Sequence, residues 1–433
     1  MNFRERRVGL EQEFFLVDEA GALSDRADDL LALCRERAED AGKDASGFLP
    51  ECARHMVEVN TSPAHSVEAL TEEYLENLTL ALGAGRELGL RLYPLATYPL
   101  PVEPSMRDKP RYEMQARAVG QERFLHAGRC AGVHVHLEVE PGTVDGTVGV
   151  SYASTAAARE ELLNAYNLGV ALDAALVALS RSCPFYEGSA TGLANRTCYY
   201  RGDAKLAPQG VYALLERVGG LPPYATSTED LVADQFARLR SWLAALDRAG
   251  VSHDLFFEEG GGLLSSSSWS PVRLNTHGTV ELRGIDSNLP GVVLAICALA
   301  TRAADRVRRE GLKVSPEEGR RTVEVVGGAL LVPGFDYMKG ELFREAATDG
   351  VESPAVAAYL DSVLAFCGDE EVTGAFKEGD RYRNVERDLR QSFPSTLSEE
   401  EGLELVRAAC DELERVVATL GRARTGEAVA DGG

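Results

Sequence analysis

Glu11 and Glu13 lie two positions apart in Val8-Gly9-Leu10-Glu11-Gln12-Glu13-Phe14-Phe15. Side chains alternate along a strand, so both carboxylates point one way while Val8, Leu10, Gln12 and Phe14 point the other. Like charges this close repel unless water solvates them or a cation sits between them. Similar stretches recur downstream. Met56-Val57-Glu58-Val59-Asn60-Thr61 places Glu58 with Met56 and Asn60 on one face, and Glu51 lies seven residues before Glu58, directly after Pro50. Gly132-Val133-His134-Val135-His136-Leu137-Glu138 has an apolar face and a face carrying His134, His136 and Glu138. Gly278-Thr279-Val280-Glu281-Leu282-Arg283-Gly284-Ile285-Asp286 sets Thr279, Glu281 and Arg283 side by side. That pair reads either as a cation ligand beside a phosphate ligand or as a structural ion pair.

The donor types narrow the chemistry. A His-x-His pair on a strand reads as a surface coincidence or a zinc site, and a zinc hydrolase needs a third ligand. The supply here is mostly carboxylate, which suits magnesium or manganese with imidazole as an occasional ligand. No G-x-x-x-x-G-K-[ST] loop is present, and Gly83-Ala84-Gly85 with Gly89 has the wrong spacing for a dinucleotide fingerprint. Several acids and histidines on one open sheet face make a multi-metal nucleotide site physically possible, because each cation offsets repulsion among carboxylates and phosphates.

These residues need a scaffold. With 433 residues and 45% hydrophobic content the chain can bury a sizeable core. Its net charge of -23 disfavours nucleic acid and anionic membranes as partners and is compatible with binding cations. Eight scattered cysteines without a C-x-x-C pair fit reduced, buried thiols in a cytoplasmic protein. No secretory signal is visible at the N-terminus, and the best apolar run, Leu168 to Leu179, is interrupted by Asp173 and too short to span a membrane.

Helices are expected around Asp25 to Asp40, from Val67 to about Leu88 with Ser66 as cap, and from Ser154 to Arg181. Another should start at Ser227 or Thr228, burying Leu231, Phe236, Leu239, Trp242, Leu243 and Leu246 before Gly250. A short strand is expected over Arg91 to Thr97. Cys183 to Arg196 reads as a loop, and the Gly/Ser-rich run Glu258 to Ser268 as a mobile loop near the site. From Pro290 the chain turns mostly helical, with apolar stripes through 291–304, 321–332 and 352–366. The end, from Arg422, is expected to be frayed.

Taken together and in order, Val8 to Val17, Met56 to Thr61, Gly132 to His136, Cys183-Pro184-Phe185 with Thr191-Gly192, and Gly278 to Arg283 resemble the bacterial carboxylate-amine ligases related to glutamate-cysteine ligase (gamma-glutamylcysteine synthetase). The resemblance runs from about Val8 to Asp286. It implies an α+β fold of the glutamine-synthetase-like superfamily: a curved antiparallel sheet forming a funnel, backed by helices, with ATP and magnesium (manganese is possible) on the polar face. Residues 1–290 would form the catalytic region, 291–421 a helical region packed on it, and 422–433 a disordered tail. Glu11, Glu13, Glu51, Glu58, His134 and Glu281 fall on the family's metal-ligand positions, and Arg283 on the position that meets the ATP phosphates and acts in catalysis. Arg196, Arg273, His136 and Thr191 fall among substrate-binding positions, although Pro271 and Leu274 depart from the family's usual residues around Arg273. The implied reaction joins the side-chain carboxylate of glutamate to the amine of cysteine, or of another amine, through an acyl phosphate. A homo-oligomer is possible. A non-catalytic nucleotide-binding relative and a zinc-dependent hydrolase are the alternatives from other classes.

Overall fold

Strand β1 (Val8–Asp18) has three neighbours, and the sheet is built around it. The computed structural model describes residues 6–259 and 261–425. Besides β1, the main sheet contains β2 (Phe48–Pro50), β3 (Met56–Asn60), β4 (Leu90–Tyr93), β5 (Gly132–Glu138), β6 (Val272–Asn275) and β7 (Thr279–Asp286). Its order is β6-β7-β5-β1-β3-β2, with β4 paired to the far end of β1, and every pairing is antiparallel. The sheet is open and does not close into a barrel.

One face is the core. Leu10, Phe14, Val57, Val59, Val133, Val135, Val280 and Leu282 are all buried in one apolar cluster with residues of α2 (Val67–Leu88), α3 (Ala156–Ser180) and α5 (Pro290–Glu310). α1 (Ala27–Asp40) packs beside α2. Alternation forces this arrangement, because every second residue of these strands is apolar. Gly169 of α3 lets helix and sheet approach closely: a Cβ there would stand 2.8 Å from Leu282 Cδ2. Gln12 is the polar exception on the apolar side. Its Nε2 donates to Ser287 Oγ (2.9 Å) and to the Asn288 carbonyl (2.8 Å), and its Oε1 accepts the Tyr74 hydroxyl, so the buried amide is satisfied.

The expected helices form where their caps stand. Ser66 Oγ accepts the Ala69 N–H at 3.1 Å, and Gly89 closes α2 at φ 68°. Ser227 Oγ likewise accepts the Asp230 N–H at the start of α4 (Thr228–Ala249). Phe236 departs from the expected buried stripe of α4 and is 37% exposed, while Leu231, Trp242 and Leu246 are buried. The apolar run Leu168 to Leu179 belongs to the 25-residue α3, which is long and apolar enough to cross a membrane by length and composition. The expectation that it is too short is therefore corrected, but 83% of its most apolar window is buried inside the protein, as for a core helix.

Beyond Pro290 the chain is mostly helical, with α6 (Pro354–Cys367), α7 (Val385–Ser392) and α8 (Glu399–Thr425) following α5. The stripe over 321–332 is not helical. It belongs to a second sheet of β8 (Lys313–Glu317), β9 (Glu324–Val326) and β10 (Ala329–Pro333), ordered β8-β10-β9. Gly327 and Gly328, at φ 57° and 84°, turn β9 back into β10, a two-glycine hairpin turn that no helix could accommodate. α8 continues through Thr425, and residues 426–433 of the expected tail lie outside the described residues. All eight cysteines are free and buried.

Candidate functional site

Register alone assembles the polar face. Glu11 stands opposite His134 across β1 and β5, Glu13 opposite Glu58 across β1 and β3, Glu281 opposite His136 across β7 and β5, and Arg273 opposite Glu281 across β6 and β7. Directly opposed side chains in an antiparallel pair have Cβ atoms about 5 Å apart, so five strands bring these side chains together. Glu51 joins from the turn between β2 and β3, where its Oε2 accepts the Cys52 N–H at 3.0 Å. A register shift after Leu282 bulges β7 at Arg283 and Gly284. Gly284 faces the buried Asp173 of α3, whose Oδ1 would lie 2.6 Å from a Cβ at that position.

Three groups of donor atoms lie within 4.8 Å of one another: Glu11, His136 and Glu281; Glu11, Glu58 and His134; Glu13, Glu51 and Glu58. His134 Nδ1 is 2.7 Å from Glu11 Oε2 and His136 Nε2 is 3.2 Å from Glu11 Oε1. His136 Nδ1 meets Thr279 Oγ1 at 3.0 Å. With Nδ1–H of His134 donating to Glu11, its Nε2 keeps a lone pair, and that atom is buried without a hydrogen-bond partner. The two histidines serve different groups, so the His-x-His pair does not form one joint chelate.

Charge is unevenly compensated across this face. Glu281 is fully buried and receives Arg273 Nε at 2.7 Å, Asn275 Nδ2 at 2.6 Å and Arg283 Nη1. Burial works against its ionisation, but the Arg273 and Arg283 charges outweigh it and hold the carboxyl well below the usual range. For Glu11, too, burial is outweighed, by hydrogen bonds from His134 and His136, and its pKa is lowered. Glu13 and Glu58 go the other way. Burial raises both, and Glu51 repels Glu13 while Glu11, Glu51 and Glu13 repel Glu58. Burial and the Arg283 charge push His134 towards its neutral, ligand-competent form.

This donor set fits divalent cations. It is rich in carboxylate oxygen, holds one imidazole in each of two groups, and leaves Glu13, Glu51 and Glu58 without any lysine or arginine nitrogen within 4.0 Å among the described residues. A cavity of about 290 Å³ opens at the Glu11 and His136 end, lined by Gly9, Asn60, His277 and Thr279 as well.

The remaining expected residues surround this centre. Arg196 is 4% exposed, donates from Nη1 to the Arg283 carbonyl at 2.9 Å, and keeps Nε without a partner. Its guanidinium lies against Gly132, where a Cβ would stand 2.1 Å from Nη2. Gly132 in turn donates its N–H to Glu13 Oε2 at 2.6 Å. Only glycine at this position admits both contacts. Arg273 is engaged with Glu281 and with the Ser268 carbonyl (3.0 Å), and Thr191 uses its hydroxyl within the loop, bonding Asn195 Oδ1 and accepting the Leu193 N–H. Trp269 is stacked on Tyr212 and tilted against Trp242. In the run Glu258 to Ser268, Gly260 lies outside the described residues, and Leu264–Ser267 forms a 3-10 turn with Ser267 buried.

Sequence reasoning missed Asn275, Gly132 and the buried Asp286 as neighbours of the site. A glycine directly before the alternating His-x-His strand was the visible signal for Gly132. Asp286 is 2% exposed, and burial raises it to about 7 against the opposing charges of Arg196 and Arg181.

The family model described as Glutamate-cysteine ligase family 2 matches residues 7–314. A provisionally named glutamate–cysteine ligase 2-1 of Rhodococcus jostii is 34% identical over 368 residues, covering 83% of this chain and 80% of its own. Among solved structures, a bifunctional glutathione synthetase from Pasteurella multocida aligns with TM-score 0.45 and 14% identity, over 96% of this chain but only 52% of that protein. A glutamate–cysteine ligase from Francisella tularensis in complex with AMP aligns with TM-score 0.42 and 13% identity, over 98% of this chain and 96% of that one.

Proposed function

The chain belongs to glutamate–cysteine ligase family 2, a family of ligases, and on that premise we propose that it joins the side-chain carboxylate of glutamate to the amine of cysteine at the expense of ATP. The products are gamma-glutamylcysteine, ADP and phosphate. In this reading the polar face of the sheet is the wall of a glutamine-synthetase-like funnel, and the eight buried free thiols suit a cytoplasmic enzyme. The observation that carries the reading is the Glu13, Glu51 and Glu58 group, three carboxylates converging without a cationic side chain within 4.0 Å among the described residues.

Glu11, Glu13, Glu51, Glu58, His134 and Glu281 would hold magnesium or manganese. Bound there, the ions would neutralise the triphosphate and the reacting carboxylate. Arg283, braced by Glu281, presents a planar fork to the phosphoryl group that passes from ATP to the glutamate carboxylate. An acyl phosphate and ADP form, the amine attacks the acyl carbon, and phosphate leaves. Arg283 also stabilises charge on the departing phosphate. Arg196 holds the acid substrate beside Glu13, and the loop that Thr191 caps sets its position. Arg273 acts by fixing Glu281, and His136 lines the cavity beside Glu11 as a substrate-binding residue.

The test is phosphate release from ATP with magnesium and glutamate, comparing no amine, cysteine, and a panel of other amines. Stimulation by cysteine with a product of the dipeptide's mass is expected. Stimulation by another amine alone would change the second substrate, and no turnover with any pair would remove the ligase reading.

A further inference from the structure

Arg196 sits at the end of a chain of buried contacts that begins in the C-terminal third. Glu386, at the second position of α7, is 1% exposed and forms an ion pair with Arg181 Nε, which directly follows α3 and is 3% exposed. Arg181 Nη1 donates to the carbonyls of Ala346 (3.2 Å) and Thr348 (2.9 Å). Between them, the Ala347 carbonyl accepts the N–H of Ala194 at 2.7 Å, two residues before Arg196. The segment 346–348 is thus clasped from one side by Arg181 and grips the Arg196 loop from the other. Asp286 stands in the field of both guanidiniums and of Glu386, which makes the four charges one buried set.

Buried ion pairs contribute little net stability against apolar replacements, so their presence here asks for another reason. Arg181 could not hold two carbonyls in a fixed fork without a carboxylate to orient it, and Gly350 is needed to let it in, since a Cβ there would lie 3.1 Å from Arg181 Cδ. We propose that Glu386 is a positioning residue for the acid substrate, acting through Arg181, the 346–348 carbonyls and Ala194 to place the Arg196 guanidinium beside Glu13. α7 makes none of the contacts described for the polar face, yet it sets the geometry of that face's substrate end. The inference rests on the ligase reading, with Arg196 as the acid-binding arginine.

The test compares wild type with Glu386→Gln, Arg181→Met and the double variant, measuring KM for the acid, KM for ATP, kcat and thermal stability. Glu386→Gln is expected to raise KM for glutamate about five-fold or more while KM for ATP stays within two-fold. The double variant should show no further rise beyond Arg181→Met. Unchanged KM for glutamate, or equal rises for glutamate and ATP, in folded variants would overturn the proposal. Should the variants fail to fold, hydrogen exchange on the wild-type protein decides it: glutamate added with magnesium and a non-hydrolysable ATP analogue should protect 346–348 and α7, and no change there would overturn it. Wild type that shows no glutamate-dependent ATP turnover would instead remove the ligase reading itself.

Discussion

Buried carboxylates occur in this protein in two settings. Away from the polar face, Asp173 has Arg201 Nη1 at 2.8 Å, and Glu386 has Arg181. On the polar face, Glu13, Glu51 and Glu58 accept neutral donors from Gly132, Cys52 and Asn60 but have no lysine or arginine nitrogen within 4.0 Å among the described residues, and burial with mutual repulsion raises Glu13 and Glu58. Asp173 and Glu386 each have an arginine counter-charge inside the protein, although burial still raises Asp173 against the pull of Arg201. The face acids lack one, and a fold retains such a cluster where a cation completes it. Glu281 is intermediate, since its two arginines neutralise it while it still shares a donor group with Glu11 and His136.

Removing an acid from the uncompensated group should show the contrast most strongly. Glu58→Gln is expected to lower turnover roughly 10³-fold, as for loss of a charge-stabilising group, and Glu13→Gln similarly. Both variants should fold. Because each group's folded pKa is raised, its favourable contribution is present below the unfolded carboxylate range and is lost as pH rises through the folded value. Metal-free Glu58→Gln should therefore melt at or above the wild-type temperature at neutral pH; retained activity, or a large loss of stability, would erase the distinction.

Breaking a compensated pair should do the reverse. Arg201→Met leaves Asp173 buried and unpaired and is expected to cost about 3–5 kcal/mol by denaturant titration, while activity per folded molecule falls little. Next, Arg283→Lys keeps the charge beside Glu281 but loses the fork, and turnover should drop about 10²-fold with stability nearly unchanged. Wild-type rates would take Arg283 out of the mechanism.

Asp286 gives the mildest test, because it is buried with Oδ1 unpartnered yet faces two arginines. Its folded value of about 7 lies above the unfolded carboxylate value, so its contribution to stability is full below about pH 4 and is lost as pH rises to about 7. Asp286→Asn should flatten the stability profile across that window and gain up to roughly 4 kcal/mol at pH 8. An unchanged profile would mean that the Arg196 and Arg181 charges offset the burial of Asp286.

The polar face was readable because a strand's period of two sorts donors from core residues without any knowledge of neighbours. Glu11, Glu13, Glu58, His134, His136 and Glu281 each fell on the correct side, and the caps Ser66 and Ser227 marked their helices. Pairing across long separations was not readable: nothing local in Arg181 or Glu386 announces a partner 205 positions away. Short apolar runs were ambiguous for the same reason, and Val323 to Val332 became a hairpin because Gly327-Gly328 turns it. Gln12 read as an oddity on an apolar face until Tyr74, Ser287 and Asn288 closed around it.

The most direct measurement is a calorimetric titration of the metal-stripped protein with manganese in the presence of a non-hydrolysable ATP analogue, on wild type and Glu58→Gln side by side. Wild type should bind the ion and gain thermal stability from it, and the variant should lose most of both. Equal binding and equal stabilisation in the two proteins would contradict the assignment of the uncompensated carboxylates as the cation site.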